Sequence, residues 1–190
     1  TDALNKIAKE FDIELWAMYN IKQLGKCNFD KNEKILFNIK HIQYSEKNYE
    51  KFLAKSDIGL VPQSIPIKKN IFFKFFISTL DKEYNESDND FFFRFKETTN
   101  LGRHLVFAQY RIPIISDMSP SACSFIEYGT NGYLAHHSDS WYKCIKLLIQ
   151  NRELRLKMGY NLNLKYNSLA SPQVQNKNLL FFLKKLLISN

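Results

Sequence analysis

The stretch FRFKETTNLGRHLVFAQYRIPIISDMSPSACSFIEYGTNG, residues 93–132, contains the pattern that decides the fold. Small polar residues that can cap a helix come directly before apolar residues at helical spacing, which predicts a helix beginning near Thr98. The apolar residues of this helix are Leu101, Leu105, Val106 and Ala108. Pro113 disfavours the helical backbone at the residue before it, so the helix must end by Ile112.

A buried strand and a second helix follow in the same stretch. Ile114 and Ile115 predict a short buried strand, and the polar run 116–121 predicts a loop leading into the next helix. Ligands of open parallel α/β sheets bind outside the carboxyl ends of the strands, where such loops lie. We therefore expect this loop and the start of the preceding helix to converge at one edge of a sheet.

The start of the first helix combines backbone and side-chain positive charge. The first turn of a helix presents unpaired N–H groups and a partial positive charge, and both attract anions. Basic and hydrogen-bonding side chains surround this predicted start, which favours a site for a diphosphate. They are Arg94, Lys96, Thr98, Thr99, Asn100 and Arg103. A helix end that is merely capped, with solvated basic side chains beside it, is the alternative interpretation.

Before this stretch the chain alternates between helix and strand patterns. Apolar residues at helical spacing over 4–11 predict a helix, and the apolar run Ile13–Tyr19 predicts a buried strand. A second strand is predicted over 35–39, with a continuation through 41–44.

A short helix and a third strand complete a strand–helix–strand unit. Ser45 can cap the helix, and Tyr49, Phe52 and Leu53 form its apolar face. The run Ile58–Pro62 predicts the next buried strand. A right-handed crossover between these strands brings their carboxyl ends to one side.

An aromatic-rich insertion occupies residues 64–93. It is too long for a bare connection and too aromatic to remain in water. We expect it to pack on this domain, on a neighbouring domain or on lipid, with protein as the preferred partner.

The end of the chain is predicted to be helical. Asp139 or Ser140 can cap a helix that carries Trp141, Cys144, Ile145 and Leu148. Leu154, Leu156, Met158 and Leu162 predict another helix, which the Ser171–Pro172 pair ends. In the final segment, 172–190, apolar residues at helical spacing over 179–188 alternate with lysines, which predicts an amphipathic helix.

The composition indicates one α/β domain with a full core. The chain has 190 residues, of which 45% are hydrophobic and 24% charged, so it is not a disordered chain. Three cysteines without metal-ligand spacing favour reduced thiols, and the sequence predicts no metal site. With neither a signal-peptide pattern nor an apolar run long enough to span a bilayer, we expect a cytoplasmic location.

The positive charge is concentrated in the last quarter of the chain. Residues 151–190 contain seven Lys or Arg against Glu153 alone, a local net charge of +6 out of +8 for the whole chain. A basic segment with apolar neighbours suits an anionic membrane surface or an acidic partner, whereas nucleic acid more often needs basic and aromatic residues spread over a groove.

The order of three short segments resembles a known family. Ser56–Pro62, Arg111–Ser116 and Ile126–Leu134 follow one another as in the donor half of GT-B glycosyltransferases, group 1 or family-4-like, the glycogen-synthase and sucrose-synthase type. The resemblance covers residues 4–168 and extends to divergent bacterial polysaccharide enzymes. It implies a Rossmann-like three-layer α/β/α parallel sheet over 1–171. In the family an acceptor-binding domain precedes this half, and we expect that domain to be absent here. We expect an excised C-terminal half or the product of a split gene.

The resemblance also implies where a nucleotide-diphosphate sugar would bind. The loops at Tyr19–Asn20, Gln43–Tyr44 and Pro62–Gln63 would line the nucleotide pocket, the middle one near the base, and ordinary surface loops are the alternative. Ser121 is counted among the donor-binding residues, and Glu127 could accept from sugar hydroxyls or face solvent. The family usually carries two glutamates eight positions apart, and these positions are occupied here by Thr98 and Val106.

The expected function is transfer of a sugar from a nucleotide-diphosphate sugar to a surface polysaccharide or glycan. No metal or other cofactor is expected, since helix N–H groups with Lys96 and Arg103 could neutralise the leaving diphosphate. No catalytic residue can be named, because the family takes its remaining catalytic groups largely from the acceptor domain, and the chain alone should turn over little. The alternatives are a non-catalytic Rossmann-like nucleotide-binding module and an adaptor that works through the basic tail.

Two partners compete for the terminal helix. In GT-B enzymes the last helix crosses back onto the acceptor domain, which would make 172–190 a packing element. Its lysines also suit a helix lying on a membrane surface, which would place the protein peripherally on the inner face of the membrane.

Overall fold

Helices alternate with parallel strands along the part of the chain that the computed structural model describes, which is residues 1–20, 22, 34–62 and 100–188. In chain order the elements are α1 (Asp2–Ala8), β1 (Glu14–Tyr19), β2 (Asn38–Gln43), α2 (Tyr49–Leu53), β3 (Gly59–Val61), α3 (Gly102–Gln109), β4 (Ile114–Asp117), α4 (Pro120–Phe125), β5 (Gly132–Ala135), α5 (Ser138–Gln150), α6 (Arg152–Leu169) and α7 (Pro172–Ile188). The prediction of an α/β protein is confirmed. The insertion predicted at 64–93 lies outside the described residues.

The strands form two parallel sheets. β1 pairs with β2 from Glu14 opposite Asn38 to Tyr19 opposite Gln43. The second sheet has the order β3–β4–β5, and Ile114 at the start of β4 lies between its two neighbours. The two pairings are separate, so the described strands form a two-stranded and a three-stranded sheet.

The core is centred on β4, all four residues of which are buried. Consecutive side chains of a strand point to opposite faces of the sheet. Ile115 packs in a cluster with Ile7 of α1 and Leu148 of α5. Ile114 packs in another cluster, with Phe125 of α4 and side chains from α3 and α6. β4 is therefore covered on both faces, as parallel strands usually are.

α3 begins at Gly102, four residues after the predicted start near Thr98, which is itself outside the described residues. Asn100 Oδ1 accepts a hydrogen bond from Gly102 N at 3.2 Å, a local side-chain bond that competes with helical structure before Gly102, and the N-cap residue is Leu101. The predicted end is confirmed. α3 ends at Gln109, and Arg111 takes a left-handed backbone with φ 56° before Pro113.

The bounds of two strands differ from the prediction. β2 runs over Asn38–Gln43 rather than beginning at 35, because the backbone of Leu36 donates to Asn5 Oδ1 at 2.9 Å instead of to a neighbouring strand. β4 continues through Ser116 and Asp117, which the sequence assigned to a loop. These two polar residues are buried because they pair with Leu134 and Ala135 of β5.

β1 was predicted to be a buried strand, and its side chains are half-buried apart from the exposed Glu14. The cap of α5 is His137, whose Nδ1 accepts from Ser140 N at 3.0 Å, and neither Asp139 nor Ser140 is the cap residue. Ser140 instead completes a capping box from inside the helix.

The last two helices are anchored differently. On α6, Asn163 Nδ2 donates to Ala108 O at 3.0 Å, so this helix satisfies a carbonyl at the end of α3. Gly159 of α6 lies so close to the Arg111 turn that a side chain there would overlap the Arg111 carbonyl. α7 begins at Pro172, where the helix predicted for the final segment 172–190 begins. Within the described ranges, none of the helices combines the length and apolarity that crossing a bilayer needs.

Candidate functional site

The carboxyl edge of the three-stranded sheet brings together the starts of several helices. β3, β4 and β5 are parallel and end at Val61, Asp117 and Ala135. α4 and α5 begin within a few residues of the ends of β4 and β5, so their first turns lie at this edge. Helix first turns carry unpaired N–H groups and partial positive charge, which makes this edge electrostatically suited to an anion.

The first turn of α3 reaches the same edge through Arg103. Its Nη1 donates to the carbonyl of Pro62 at 3.3 Å, and Pro62 directly follows β3. The guanidinium is exposed and has five N–H donors, so one contact leaves others able to bind a ligand. Two residues predicted from the sequence, Arg103 and Pro62, are thus in contact, with the predicted Asn100 beside them at the helix start.

A buried histidine connects α3 to β4. His104 is fully buried, and its Nε2 lies 2.9 Å from Ser116 Oγ. Ser116 Oγ can donate its one proton to the carbonyl of Val61, at 3.4 Å, or of Asp117, at 3.1 Å. We infer from this network that the imidazole carries its proton on Nε2 and donates to Ser116, which leaves Nδ1 as an acceptor. Nδ1 has no hydrogen-bond partner among the described residues.

This imidazole is uncharged at neutral pH. Burial, with a smaller contribution from the positive charge of Arg103, lowers the pKa of His104 to about 4. A neutral His104 cannot attract an anion by charge. Its role is positional, because it fixes the first turn of α3 against the ends of β3 and β4.

The last residue of β4 contributes a buried carboxylate. Asp117 is 5% exposed, and its Oδ1 accepts from Trp141 Nε1 of α5 at 3.2 Å. This contact fixes the start of α5 beside the carboxyl edge.

Sequence reasoning missed both His104 and Asp117 as residues of the site. The helical spacing of His104 and Ala108 places His104 on the buried face of α3. Asp117 is an acidic residue two positions after the apolar pair Ile114–Ile115. These signals could have identified both as polar groups at the edge, though not their partners.

Ser121 lies in the first turn of α4, at the same edge. Its Oγ is 3.3 Å from Ser119 Oγ, and Ser119 caps the helix by accepting from Ala122 N at 3.2 Å. Ser121 is half-buried, so its hydroxyl is partly accessible from solvent.

Gln43 and Tyr44 belong to a second group, at the end of β2. Gln43 Nε2 donates to Asn20 Oδ1 at 3.1 Å and so joins the segments that follow β1 and β2. Tyr44 is 46% exposed and its ring lies 6.0 Å from that of Tyr49, which in turn lies 6.4 Å from that of Tyr110. Tyr110 follows the last turn of α3, whereas Arg103 is in the first turn. This row of three tyrosine rings therefore contacts the end of α3 that is remote from Arg103.

Glu127 is set apart from the other candidates. It lies between α4 and β5, where the chain returns to the edge at which the parallel strands begin. Its carboxylate forms an ion pair with Lys165 of α6 at 2.5 Å. The remaining predicted residues lie outside the described residues: Gln63, Arg94, Lys96, Thr98 and Thr99.

A cavity of about 380 Å³ lies at the opposite edge from these groups, in front of β1 and β2. It is lined by residues 8–13 and 36–38, and none of the predicted site residues borders it. The carboxyl edge is a stronger candidate binding site than this cavity, because charged side chains and helix first turns meet there and can bind a defined ligand.

Among residues 1–20, 22, 34–62 and 100–188, no three His, Cys, Asp or Glu side chains lie close enough together to hold a metal ion. No family model, curated protein or solved structure matches the chain.

Proposed function

We propose that this chain is the donor-binding domain of a GT-B glycosyltransferase that transfers a sugar from a nucleotide-diphosphate sugar to a surface polysaccharide or glycan. The supporting observation is the hydrogen bond from Arg103 to the carbonyl of Pro62. It joins the first turn of α3 to the end of β3, two segments that the family resemblance assigns to the donor site. The proposal includes the three-layer Rossmann-like arrangement of the intact domain.

The first turn of α3 would bind the diphosphate. The first i to i−4 hydrogen bond at the start of α3 is that of Leu105 N to Leu101 O at 2.9 Å. The N–H group of Arg103 comes before this bond and belongs to an exposed residue, so it is available to an anion. The guanidinium of Arg103 adds a full charge and bidentate geometry that suits phosphate oxygens.

Fixed positive charge at this edge would also promote the reaction. During transfer, the sugar's anomeric carbon becomes bonded to the acceptor oxygen, the bond between that carbon and the diphosphate oxygen breaks, and negative charge grows on the departing oxygen. Arg103, the α3 first turn and, on the sequence prediction, Lys96 would stabilise that charge without a metal ion. The acceptor hydroxyl loses its proton to a group that we do not assign to this chain.

Calorimetric titration tests the proposal. The diphosphates and monophosphates of uridine, guanosine, adenosine and cytidine are titrated into the full chain, into an Arg103→Ala variant and into a Lys157→Ala control on the exposed surface of α6. We expect one diphosphate to bind more tightly than its monophosphate. Arg103→Ala should weaken it by about 1.5 to 3 kcal/mol, the value of a hydrogen bond to a charged group.

The control variant should bind as the unmodified chain does. Absence of binding by every nucleotide at millimolar concentration, or an unchanged affinity in Arg103→Ala, would contradict the proposal.

A nucleotide-binding module without transfer activity is the second candidate. Val106, at one of the two family glutamate positions, is half-buried in α3 and has no carboxylate. Titration of the sugar form of the nucleotide that binds separates the candidates. A donor-binding domain should bind the nucleotide-diphosphate sugar at least as tightly as the free nucleotide diphosphate, whereas a module without a place for the sugar should bind the sugar form more weakly.

A further inference from the structure

Most of α7 extends away from the rest of the molecule. The helix is attached at its start, where Gln175 Nε2 donates to Leu169 O at 2.6 Å and Ser171 Oγ donates to Asn167 O at 3.0 Å. From Gln175 to Leu187 every side chain is exposed. Seven of these are large and apolar, with exposed fractions from 46% to 79%: Leu179, Leu180, Phe181, Phe182, Leu183, Leu186 and Leu187. Such a contiguous apolar surface indicates a binding partner.

The apolar side chains of α7 are concentrated on one side. At about 100° per residue, six of them fall within an arc of about 160°, which we call the apolar arc. In order around the helix they are Phe182, Leu186, Leu179, Leu183, Leu187 and Leu180. Lys177 and Lys184 lie beside one border of the arc and Lys185 lies beyond the other, while Phe181 lies outside it.

The charges indicate an anionic partner. The chain contains no Asp or Glu after Glu153 and has a net charge of +8. Like charge opposes association of α7 with a second copy of the chain. The exposed lysines beside the arc can extend their amino groups to phosphates while their stems follow the apolar side chains inward.

We propose that α7 docks on the surface of an anionic lipid bilayer, with its axis in the membrane plane and the apolar arc among the acyl chains. A helix of 17 residues is about 25 Å long, and basic side chains flanking an apolar face are typical of interfacial helices. The proposal is independent of nucleotide binding.

Vesicle co-sedimentation of the full chain tests this assignment. We expect binding to phosphatidylcholine vesicles that contain roughly 30 mol% phosphatidylserine at an ionic strength of about 0.01 M, and much weaker binding at about 0.15 M, because salt screens the lysines. Vesicles of phosphatidylcholine alone should bind at least tenfold more weakly.

Matched variants distinguish the contribution of the apolar arc to vesicle binding from that of positive charge anywhere on the chain. Leu179→Ser with Leu183→Ser should lower the partition coefficient at least about tenfold, whereas Phe181→Ser, outside the arc, should change it less than about threefold. Lys177→Gln with Lys184→Gln should lower binding about fivefold per lysine. Lys47→Gln with Lys51→Gln, exposed on and beside α2, should leave it unchanged.

Several results would overturn the proposal. They are absence of binding to anionic vesicles at low salt, equal binding to neutral vesicles, and equal losses in the Phe181 and Leu179/Leu183 variants. Sedimentation velocity without lipid provides a further test. Self-association that the Leu179→Ser, Leu183→Ser variant abolishes would assign the arc to a second copy of the chain instead.

Discussion

The two sheets of this protein differ in how well they are covered. All four residues of β4 are buried, whereas five of the six in β1 are half-buried and only Ile42 is buried in β2. Helices pack on both faces of β4, while the described contacts of β1 include an edge-to-face pair between Trp16 and Phe52 at 5.6 Å and a lysine above the Trp16 ring. Parallel strands are stable when both faces are covered. We infer that the three-stranded sheet contributes most of the stability of the described fold.

Matched isoleucine truncations test this difference most directly. Ile115→Ala in β4 should lower the free energy of unfolding by about 4 kcal/mol, because the side chain is fully buried among rigid neighbours. Ile39→Ala in β2 should cost about 1 kcal/mol, since that side chain is half-buried. Urea denaturation measures both, and equal losses would show that the sheets contribute alike.

An added methyl group should lower the stability by different amounts at two glycines, Gly159 and Gly129. An alanine Cβ at Gly159 would lie 1.9 Å from the Arg111 carbonyl oxygen, so Gly159→Ala must displace α6 from the turn that follows α3. We expect a loss of about 3 kcal/mol in urea denaturation. Gly129→Ala is the control. Its Cβ would meet no atom within 4 Å, and the left-handed backbone with φ +77° should cost about 1 kcal/mol. A tolerated Gly159→Ala would mean that the helices pack less closely than described.

Acid should weaken the better-covered half through His104. The folded state lowers the pKa of this histidine from 6.5 to about 4, so the unfolded chain binds an extra proton between these values. The free energy of unfolding is therefore highest above pH 6.5 as far as His104 is concerned. It falls by up to roughly 3 kcal/mol as the pH is lowered toward 4. His104→Gln should remove this part of the pH dependence while still donating to Ser116. Denaturation at several pH values compares the two proteins, and parallel curves would contradict the burial of a neutral imidazole.

The smallest expected difference concerns helix caps. Asn151 Oδ1 accepts from Leu154 N at 2.9 Å at the start of α6, and Asn151→Ala should cost about 1 kcal/mol. Asn48 is the N-cap residue of α2, a five-residue helix with no buried side chain, but its Oδ1 accepts from Ser45 N at 3.2 Å and from no N–H group of the helix. Asn48→Ala should cost only a few tenths of that, because frayed local structure contributes little to the global free energy. Thermal unfolding measures the loss of melting temperature in each variant. Equal losses in Asn151→Ala and Asn48→Ala would show that α2 contributes as much to the global stability as α6 does.

The element types were largely predictable because they depend on neighbouring residues. Pro113 and the apolar pair after it were sufficient to predict the end of α3 and the strand β4. Boundaries were less predictable where side chains from distant segments compete for the backbone. Leu36 illustrates this, because its N–H binds Asn5 and β2 begins only at Asn38.

The candidate site was predicted in part. Arg103 and Pro62 were chosen from charge and loop position, and they are in contact. His104 was not chosen, because its positioning role depends on a hydrogen bond to Ser116. The two residues are twelve positions apart, and no local pattern indicates that they meet. Glu127 was predicted to accept from sugar hydroxyls or to face solvent, and its carboxylate pairs with Lys165 from a helix much later in the chain. Whether the carboxyl edge binds a nucleotide-diphosphate sugar stays a prediction until the titrations are made.

The sequence by itself determined the alternation of helices and strands, the helix ends at Pro113 and Pro172, and the concentration of positive charge in the last quarter. These properties follow from backbone preferences and counts that need no distant partner. Only the tertiary structure decided that the strands divide into two sheets, that His104 is buried and neutral, and that α7 leaves its apolar arc exposed. Each of these depends on contacts between residues far apart in the chain, which local patterns do not encode.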